Sequence, residues 1–227
     1  MCWNKEVSWT MFTVGTFLNL ITCMYIPRGP VIAVSIIWEW VLLMQLFDAL
    51  VWIDTPSCSS SEQEKCSPLR RYATLGAFAA NILQPVVMFI ALMIVSPSNI
   101  YLKITAAILC VGYLSYALAK VADLPKLKCI RPSTDCHLQY TWWDEIKGWT
   151  YMVALFGAGL LLLRPWTFCL LEMGYILLTL IVTSIVYPQT SAMANMWCWS
   201  AAFAPIFTLI FWKISERFPL TYLDQRI

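Results

Sequence analysis

Seven long runs of apolar residues alternate with shorter polar segments along the chain. They cover Val7–Ile26, Val31–Ile53, Tyr72–Val95, Ile100–Val121, Ile146–Leu163, Trp166–Tyr187 and Met196–Ile214. Each run is long enough to cross the hydrocarbon core of a bilayer, which is about 30 Å thick and needs about 20 helical residues. Because a lipid-facing segment cannot leave its backbone polar groups unpaired, each run is predicted to be helical. The pattern predicts an all-α, polytopic membrane protein, a bundle of seven transmembrane helices.

The composition excludes other classes of protein. Hydrophobic residues occupy 60% of the 227 positions, charged residues occupy 12%, and the formal net charge is +2. A net charge this small does not indicate a surface that binds nucleic acid. The polar connections are too short to contain a soluble domain. Residues 1–227 are therefore predicted to form a single transmembrane domain in contact with the lipid bilayer.

Two longer polar connections, Asp54–Arg71 and Ala122–Thr141, carry cysteines. With seven crossings, both connections lie on the same side of the membrane as the amino terminus. Because disulfides persist in oxidising compartments, this side is predicted to be luminal or extracellular, and the carboxyl terminus is predicted to be cytoplasmic. The four disulfide candidates are Cys58, Cys66, Cys129 and Cys136.

The sequence does not determine how these four cysteines pair. Pairing within each connection is one of three possible connectivities, and unpaired thiols are an alternative. A zinc site is a further alternative, but neither cysteine spacing matches a zinc knuckle, and the chain has a single histidine, His137. No metal site is therefore predicted.

Three carboxylates interrupt the predicted spans, namely Glu39, Asp48 and Glu172. Each costs roughly 2.5–3.5 kcal/mol at the centre of a helix on insertion scales, and such groups usually face the interior of a bundle or a water-filled cavity. Counted along their helices, Glu39 and Glu172 lie at similar depth in the inner leaflet. They are predicted to form a paired carboxylate site if their helices face each other.

Three amides lie near the middle of the predicted spans. Asn81 and Gln84 share a helix face, and Gln84 precedes Pro85, which lacks a backbone donor and so frees a carbonyl near mid-membrane. Gln45 on the second helix and Gln84 are a plausible hydrogen-bonded pair. The alternative is that these amides only join helices, a contribution of about 0.6 kcal/mol each.

Further ionisable residues fall at the cysteine-bearing end. Together with Asp48, they are predicted to line an outer vestibule. An ion-pair network at the membrane interface is the alternative, because long side chains near helix ends reach into the headgroups. These vestibule candidates are Lys120, His137, Asp144 and Glu145.

Several short motifs occur in order along the chain. They are Trp38-Glu39, MQLFDALVW at Met44–Trp52, NILQP at Asn81–Pro85, CHLQYTWW at Cys136–Trp143 and WCWS at Trp197–Ser200. Taken together, they resemble an uncharacterised multi-span family of large DNA viruses and microbial eukaryotes, although Asp48 stands where a glutamate is expected. The resemblance implies a seven-helix membrane fold and no established activity.

Two functions are consistent with this pattern. The first is an ion pathway for protons or small cations, in which carboxylates and amides lie at graded depths. The second is a seven-helix receptor or accessory subunit, in which the same groups hold the helices together. No phosphate-binding loop, paired-histidine zinc helix or GxSxG motif is present, so neither an enzyme nor a cofactor is predicted. Self-association into a homo-oligomer stays open.

Overall fold

A computed structural model describes residues 4–55, 66–122, 127–132, 138–140, 142, 148–186 and 200–220. The helices are α1 (Lys5–Tyr25), α2 (Gly29–Asp54), α3 (Pro68–Ile82), α4 (Gln84–Val95), α5 (Ile100–Val121), α6 (Gly148–Leu162), α7 (Trp166–Val186) and α8 (Ala204–Arg217). Two short strands, β1 (Arg131–Pro132) and β2 (Leu138–Gln139), pair antiparallel between α5 and α6. The described chain is thus almost entirely helical.

Four of these helices, α1, α2, α5 and α7, are long and apolar enough to cross a membrane. Helices α3 and α4 pass the same criteria together, as one span bent by 48°, which brings the number to five. Helix α6 covers 15 residues and α8 covers 14 within the described ranges. The prediction of an all-α chain with several membrane-crossing helices is confirmed, whereas the number seven stays a prediction.

Helix α1 shows which way the apolar side chains point. Its large apolar residues face outward, since Phe17 is 62% exposed and Met24 is 83% exposed. Small or polar residues at helix contacts, with apolar residues outside, are typical of helices packed in lipid. The buried residues of α1 are Ser8, Gly15, Asn19 and Thr22.

Helix α2 lies at the centre of the bundle. In its apolar part, 56% of the residues are buried, compared with 22% in each of α1, α5 and α7. Helix α2 packs against α1, α3, α4 and α8. Because α2 carries Glu39, Gln45 and Asp48, three of the predicted site residues lie on the most enclosed helix.

The third predicted span is bent because Pro85 lacks a backbone N–H and cannot continue the hydrogen-bond ladder. Two neighbouring helices supply side-chain donors to carbonyls at the bend. Trp40 of α2 donates from Nε1 to the carbonyl oxygen of Ala80 at 2.8 Å, and Tyr113 of α5 donates from Oη to that of Ile82 at 3.0 Å. Two carbonyls at the bend are therefore bonded within the bundle, which suits a lipid environment.

Part of the connection between α5 and α6 packs onto the helices. Its described residues, 127–132, 138–140 and 142, are here termed the plug. Within the plug, Arg131 lies opposite Gln139 and Pro132 lies opposite Leu138. A segment that the sequence presents as a polar connection therefore contributes to the core. Its side chains that are at most 1% exposed are Ile130, Leu138, Tyr140 and Trp142.

A disulfide ties the plug to the chain just before α3. Cys66 and Cys129 are bonded, with their Cα atoms 6.2 Å apart. The prediction that loop cysteines form disulfides is confirmed for these two. Pairing within each connection is excluded, because the plug lies against the start of α3 and a cysteine forms only one such bond. The other two candidates, Cys58 and Cys136, lie outside the described residues.

Candidate functional site

Asp48 lies on α2 beneath the plug and is completely buried. Tyr140 donates a hydrogen bond from Oη to Asp48 Oδ1 at 2.5 Å. The ring of Tyr140 stacks on Trp142 at 4.9 Å between centroids, and Trp142 meets Phe78 of α3 edge-on at 5.7 Å. Aromatic side chains therefore cover the outermost predicted carboxylate.

Two arginines at the start of α3 organise the rim of this site. Arg70 Nε lies 3.5 Å from Asp54 Oδ2, and Arg70 Nη1 donates to Thr55 Oγ1 at 3.2 Å. Arg71 donates from Nη1 to the carbonyl oxygen of Leu127 in the plug. The end of α2, the start of α3 and the plug are thus joined through two cations.

The predicted outer vestibule is described in part. Lys120 is half-buried in the last turn of α5. His137, Asp144 and Glu145 lie outside the described residues, so their arrangement with Asp48 stays a prediction. The charged groups that the structure brings into contact at this end include Arg70 of α3 and Asp54 at the end of α2.

The mid-bundle amides Gln45, Asn81 and Gln84 are each at most 1% exposed. Tyr151 of α6 donates from Oη to Gln84 Oε1, because α4 packs against α6. The oxygen of Gln84 is thus bound by α6, and its Nε2 does not donate to Gln45 as predicted. Among the described residues, Asn81 Oδ1 and Gln84 Nε2 have no hydrogen-bond partner.

Glu39 is half-buried where α1 meets α2. Its Oε1 accepts a hydrogen bond from Thr16 Oγ1 at 2.8 Å, and its Oε2 accepts one from Asn19 Nδ2 at 3.0 Å. The same Asn19 nitrogen donates to the carbonyl oxygen of Ser35 at 2.7 Å. Both carboxylate oxygens of Glu39 are thus bound by side chains of α1.

Glu172 on α7 is 1% exposed and faces the indole of Trp38 and the hydroxyl of Thr208. Neither Glu172 Oε1 nor Thr208 Oγ1 has a hydrogen-bond partner in the described part of the chain. Tyr175, one turn along α7, meets Trp38 edge-on at 5.9 Å and stacks on Phe207 at 4.8 Å. The carboxyl group is therefore enclosed largely by aromatic and apolar side chains.

The two carboxylates that were predicted to pair have separate partners. Glu39 is held by α1, whereas Glu172 is turned toward Trp38 and Thr208. Trp38 and Glu39 are successive residues of one helix and point about 100° apart, so α2 presents them to different neighbours. The described side chains thus form two single-carboxylate sites instead of one shared site.

Sequence reasoning missed the polar partners of these carboxylates, although signals for them exist. The small and polar residues of α1 recur with the spacing of one helix face, and this face is buried in the structure. In the plug, Leu138, Tyr140 and Trp142 occupy alternate positions, which is the period of a strand with one buried face. No comparable signal points to Tyr151 or Thr208.

Comparisons with known proteins found no matching family model, no similar curated protein and no similar solved structure. The resemblance to an uncharacterised multi-span family therefore stays a prediction. The fold and the site define a class, an all-α protein with several helices able to cross a membrane and with carboxylates enclosed between them.

Proposed function

We propose that this chain is a membrane ion pathway that carries protons or small cations past buried carboxylates. Glu172 carries the proposal, because it is 1% exposed and its Oε1 lacks a hydrogen-bond partner among the described residues. Burying a polar group without a compensating hydrogen bond costs about 2–7 kcal/mol, depending on the reference state. Ionisable groups kept inside membrane helices usually mark ion paths or proton relays.

The surroundings of Glu172 favour a proton over a metal cation. Metal cations bind sets of several oxygen ligands, whereas a proton needs only one acceptor and a neighbour. Glu172 faces one hydroxyl, that of Thr208, and one indole N–H, that of Trp38, whose hydrogen would repel a cation. Among the described residues, no group of three or more His, Cys, Asp or Glu side chains is placed to hold a metal ion.

The proposed route follows α2. Asp48 would collect the ion near the plug, Gln45 lies about one turn further along, and Glu39 lies six residues beyond that. At 1.5 Å per residue, Asp48 and Glu39 are about 14 Å apart along the helix axis. Asn81 and Gln84 add polar groups from the bent span. Glu172 of α7 lies next to α2, because it faces the indole of Trp38. The carboxylates and amides then form a graded series through the bundle.

We also propose seven spans, with the amino terminus luminal or extracellular and the carboxyl terminus cytoplasmic. The bond between Cys66 and Cys129 supports this arrangement, because it requires an even number of crossings between the two cysteines. One bent span (α3 with α4) and α5 supply two. A glycosylation acceptor appended to either terminus tests the orientation. We expect glycosylation at the amino terminus alone. Glycosylation at the carboxyl terminus would show that the orientation is the opposite of the proposed one.

Purified protein in liposomes, with a pH-sensitive dye inside and an imposed potential, tests the ion pathway. Wild-type protein is compared with Glu172→Gln, Glu39→Gln and Asp48→Asn. The matched control is Glu6→Gln, because the Glu6 side chain is 71% exposed at the start of α1. We expect proton flux in the wild type and the control, and its loss in Glu172→Gln while the protein stays folded.

A receptor or accessory subunit is the second candidate function. It is favoured by Glu39, whose two oxygens are both bound by α1, and by Asp48, which Tyr140 covers. In that case these groups serve to join helices and not to pass ions. Absence of proton and cation flux from folded wild-type protein, with destabilisation in Glu39→Gln, would support this candidate and contradict the ion pathway.

A further inference from the structure

Four polar residues meet where α1 packs against α2. They are Thr16, Asn19, Ser35 and Glu39, here termed the Glu39 cluster. Asn19 Nδ2 donates both to Glu39 Oε2 at 3.0 Å and to the carbonyl oxygen of Ser35 at 2.7 Å. Ser35 and Glu39 share a face of α2, because they are four residues apart. The amide of Asn19 therefore lies against both residues of that face.

Two oxygens of the Glu39 cluster have no partner. Asn19 is 5% exposed and Ser35 is 2% exposed, and among the described residues neither Asn19 Oδ1 nor Ser35 Oγ has a hydrogen-bond partner. A hydroxyl in a helix can donate to a carbonyl of its own helix, as Thr22 Oγ1 does to Leu18 at 2.9 Å, but Ser35 Oγ makes no such bond. Buried polar atoms without a protein partner are typically satisfied by a water molecule or an ion.

Glu39 sets the charge of the ligand that the Glu39 cluster suits. Both of its oxygens accept hydrogen bonds, from Thr16 and Asn19, which is the role of an ionised carboxylate. The cluster then carries a single negative charge, since its other side chains are neutral. A monovalent cation would cancel this charge, whereas a divalent cation would leave an unpaired charge between the helices, which is costly.

We propose that the Glu39 cluster is a sodium site, with the Glu39 carboxylate, Asn19 Oδ1 and Ser35 Oγ as ligands. Oxygen atoms of carboxylates, amides and hydroxyls suit a hard cation. The residues are already drawn together by hydrogen bonds of 2.7–3.0 Å, a compact arrangement that favours Na⁺ over the larger K⁺. That this ion moves through the bundle rests on the proposed function, whereas its binding does not.

The test is protection of Glu39 by Na⁺ against a hydrophobic carbodiimide, applied to protein in nanodiscs. Glu39 is half-buried on a stripe of α2 between the 46% exposed Ile36 and the half-buried Leu43, so the reagent can approach it from the lipid. The reagent modifies a protonated carboxyl group, and a cation bound at the carboxylate slows that reaction. The modified fraction of Glu39 is read by peptide mass mapping in NaCl and in KCl of the same ionic strength.

Ser35→Ala separates a ligand from a structural residue. It removes one proposed ligand but no hydrogen bond, because Ser35 Oγ has no partner in the part of the chain that the structure describes. Ser8→Ala is the matched control, since Ser8 Oγ is also buried and unpartnered among the described residues, about two turns of α1 before Thr16.

We expect Na⁺, and not K⁺, to slow the labelling of Glu39 in the wild type and in Ser8→Ala. Ser35→Ala should need roughly tenfold more Na⁺ for the same protection, or more, since loss of one supporting group at a metal site costs about 10–100-fold in affinity. Equal protection by Na⁺ and K⁺ would show ionic screening alone and overturn the site. No protection by either salt would mean that only water satisfies these oxygens. Identical behaviour of Ser35→Ala and Ser8→Ala would overturn Ser35 as a ligand.

Thermal unfolding adds a measurement that does not depend on Ser35→Ala folding. A ligand of the folded state stabilises it, so the wild type should melt at a higher temperature in Na⁺ than in K⁺. Glu39→Gln should melt at the same temperature in both salts. A salt-specific difference that persists in Glu39→Gln would place the sodium site elsewhere. Sodium protection without ion flux in liposomes would leave the site standing and remove the ion pathway, and proton flux without sodium protection would do the reverse.

Discussion

Replacing Gly15 by alanine tests how closely α1 packs on the bundle. A Cβ atom at this position would lie 2.6 and 2.7 Å from the two methyl carbons of Leu42, and 3.1 Å from the Cα atom of Ala202. Non-bonded carbon atoms prefer separations of about 3.5–4.0 Å. The methyl group therefore requires a shift of about 1 Å between α1 and its neighbours.

Both neighbours of Gly15 belong to the packed core. Leu42 and Ala202 are both completely buried, and the contact with Ala202 is to a backbone atom. Inserting a methyl group into a well-packed core costs about 1–3 kcal/mol. Against this, alanine is favoured over glycine inside a helix by about 0.8–1.0 kcal/mol in water. The net destabilisation of Gly15→Ala is expected to be about 0–2 kcal/mol.

Gly112→Ala is the matched control, since no heavy atom lies within 4 Å of its added Cβ. It brings the same gain in helix propensity on α5 and no overlap, so the difference between the two variants isolates the packing cost. Thermal unfolding of both variants in one detergent measures that difference. For a chain of this size, each kcal/mol corresponds to about 2–4 °C in Tm.

We expect Gly15→Ala to melt below Gly112→Ala by about 2–12 °C, the packing cost multiplied by this scale. Gly112→Ala itself should melt at or slightly above the wild type. Equal melting temperatures of the two variants would refute the close approach of α1 to α2. If Gly112→Ala lost as much stability as Gly15→Ala, the space found beside Gly112 on α5 would be refuted.

Two further substitutions and one digest test other contacts. Tyr113→Phe leaves a carbonyl at the helix bend without its donor and should cost about 1 kcal/mol in a detergent melt; unchanged stability would mean that the carbonyl has another donor. Asp54→Asn removes the carboxylate beside the 4% exposed side chain of Arg70 and should cost about 1–3 kcal/mol by the same assay, unless this arginine turns to solvent. A non-reducing digest should yield a cross-linked peptide that contains Cys66 and Cys129, and separate peptides would exclude this bond.

The helices were predictable because their signal is local. Pro27 marks the break between the first two helices, since α1 ends at Tyr25 and α2 begins at Gly29 with Pro30 in its first turn. The bend near mid-membrane follows from Pro85, which removes a donor whatever its neighbours are. The residues that satisfy the bend, Trp40 and Tyr113, come from other helices and could not be assigned from the sequence.

The site was only partly predictable, because burial and partnership are different properties. That Asp48, Gln84 and Glu172 are buried follows from their place in apolar runs. Which groups they contact depends on how each helix rotates about its axis, and the hydrophobic pattern fixes that rotation weakly when nearly every position is apolar. The polar connection before α6 was misjudged for another reason. Its alternate buried residues include Tyr140, and alternation over so few positions is easily overlooked among polar neighbours.

The bend between α3 and α4 also sets an order of events during synthesis. Trp40 precedes the bend and is already in place when it enters the membrane, but Tyr113 follows it. Until α5 is inserted, the carbonyl oxygen of Ile82 lacks the hydrogen bond that Tyr113 donates to it in the complete bundle. A chain stopped after Val95 should therefore be degraded faster than one stopped after Val121. We therefore expect biogenesis of this protein to depend on insertion of α5 before quality control acts.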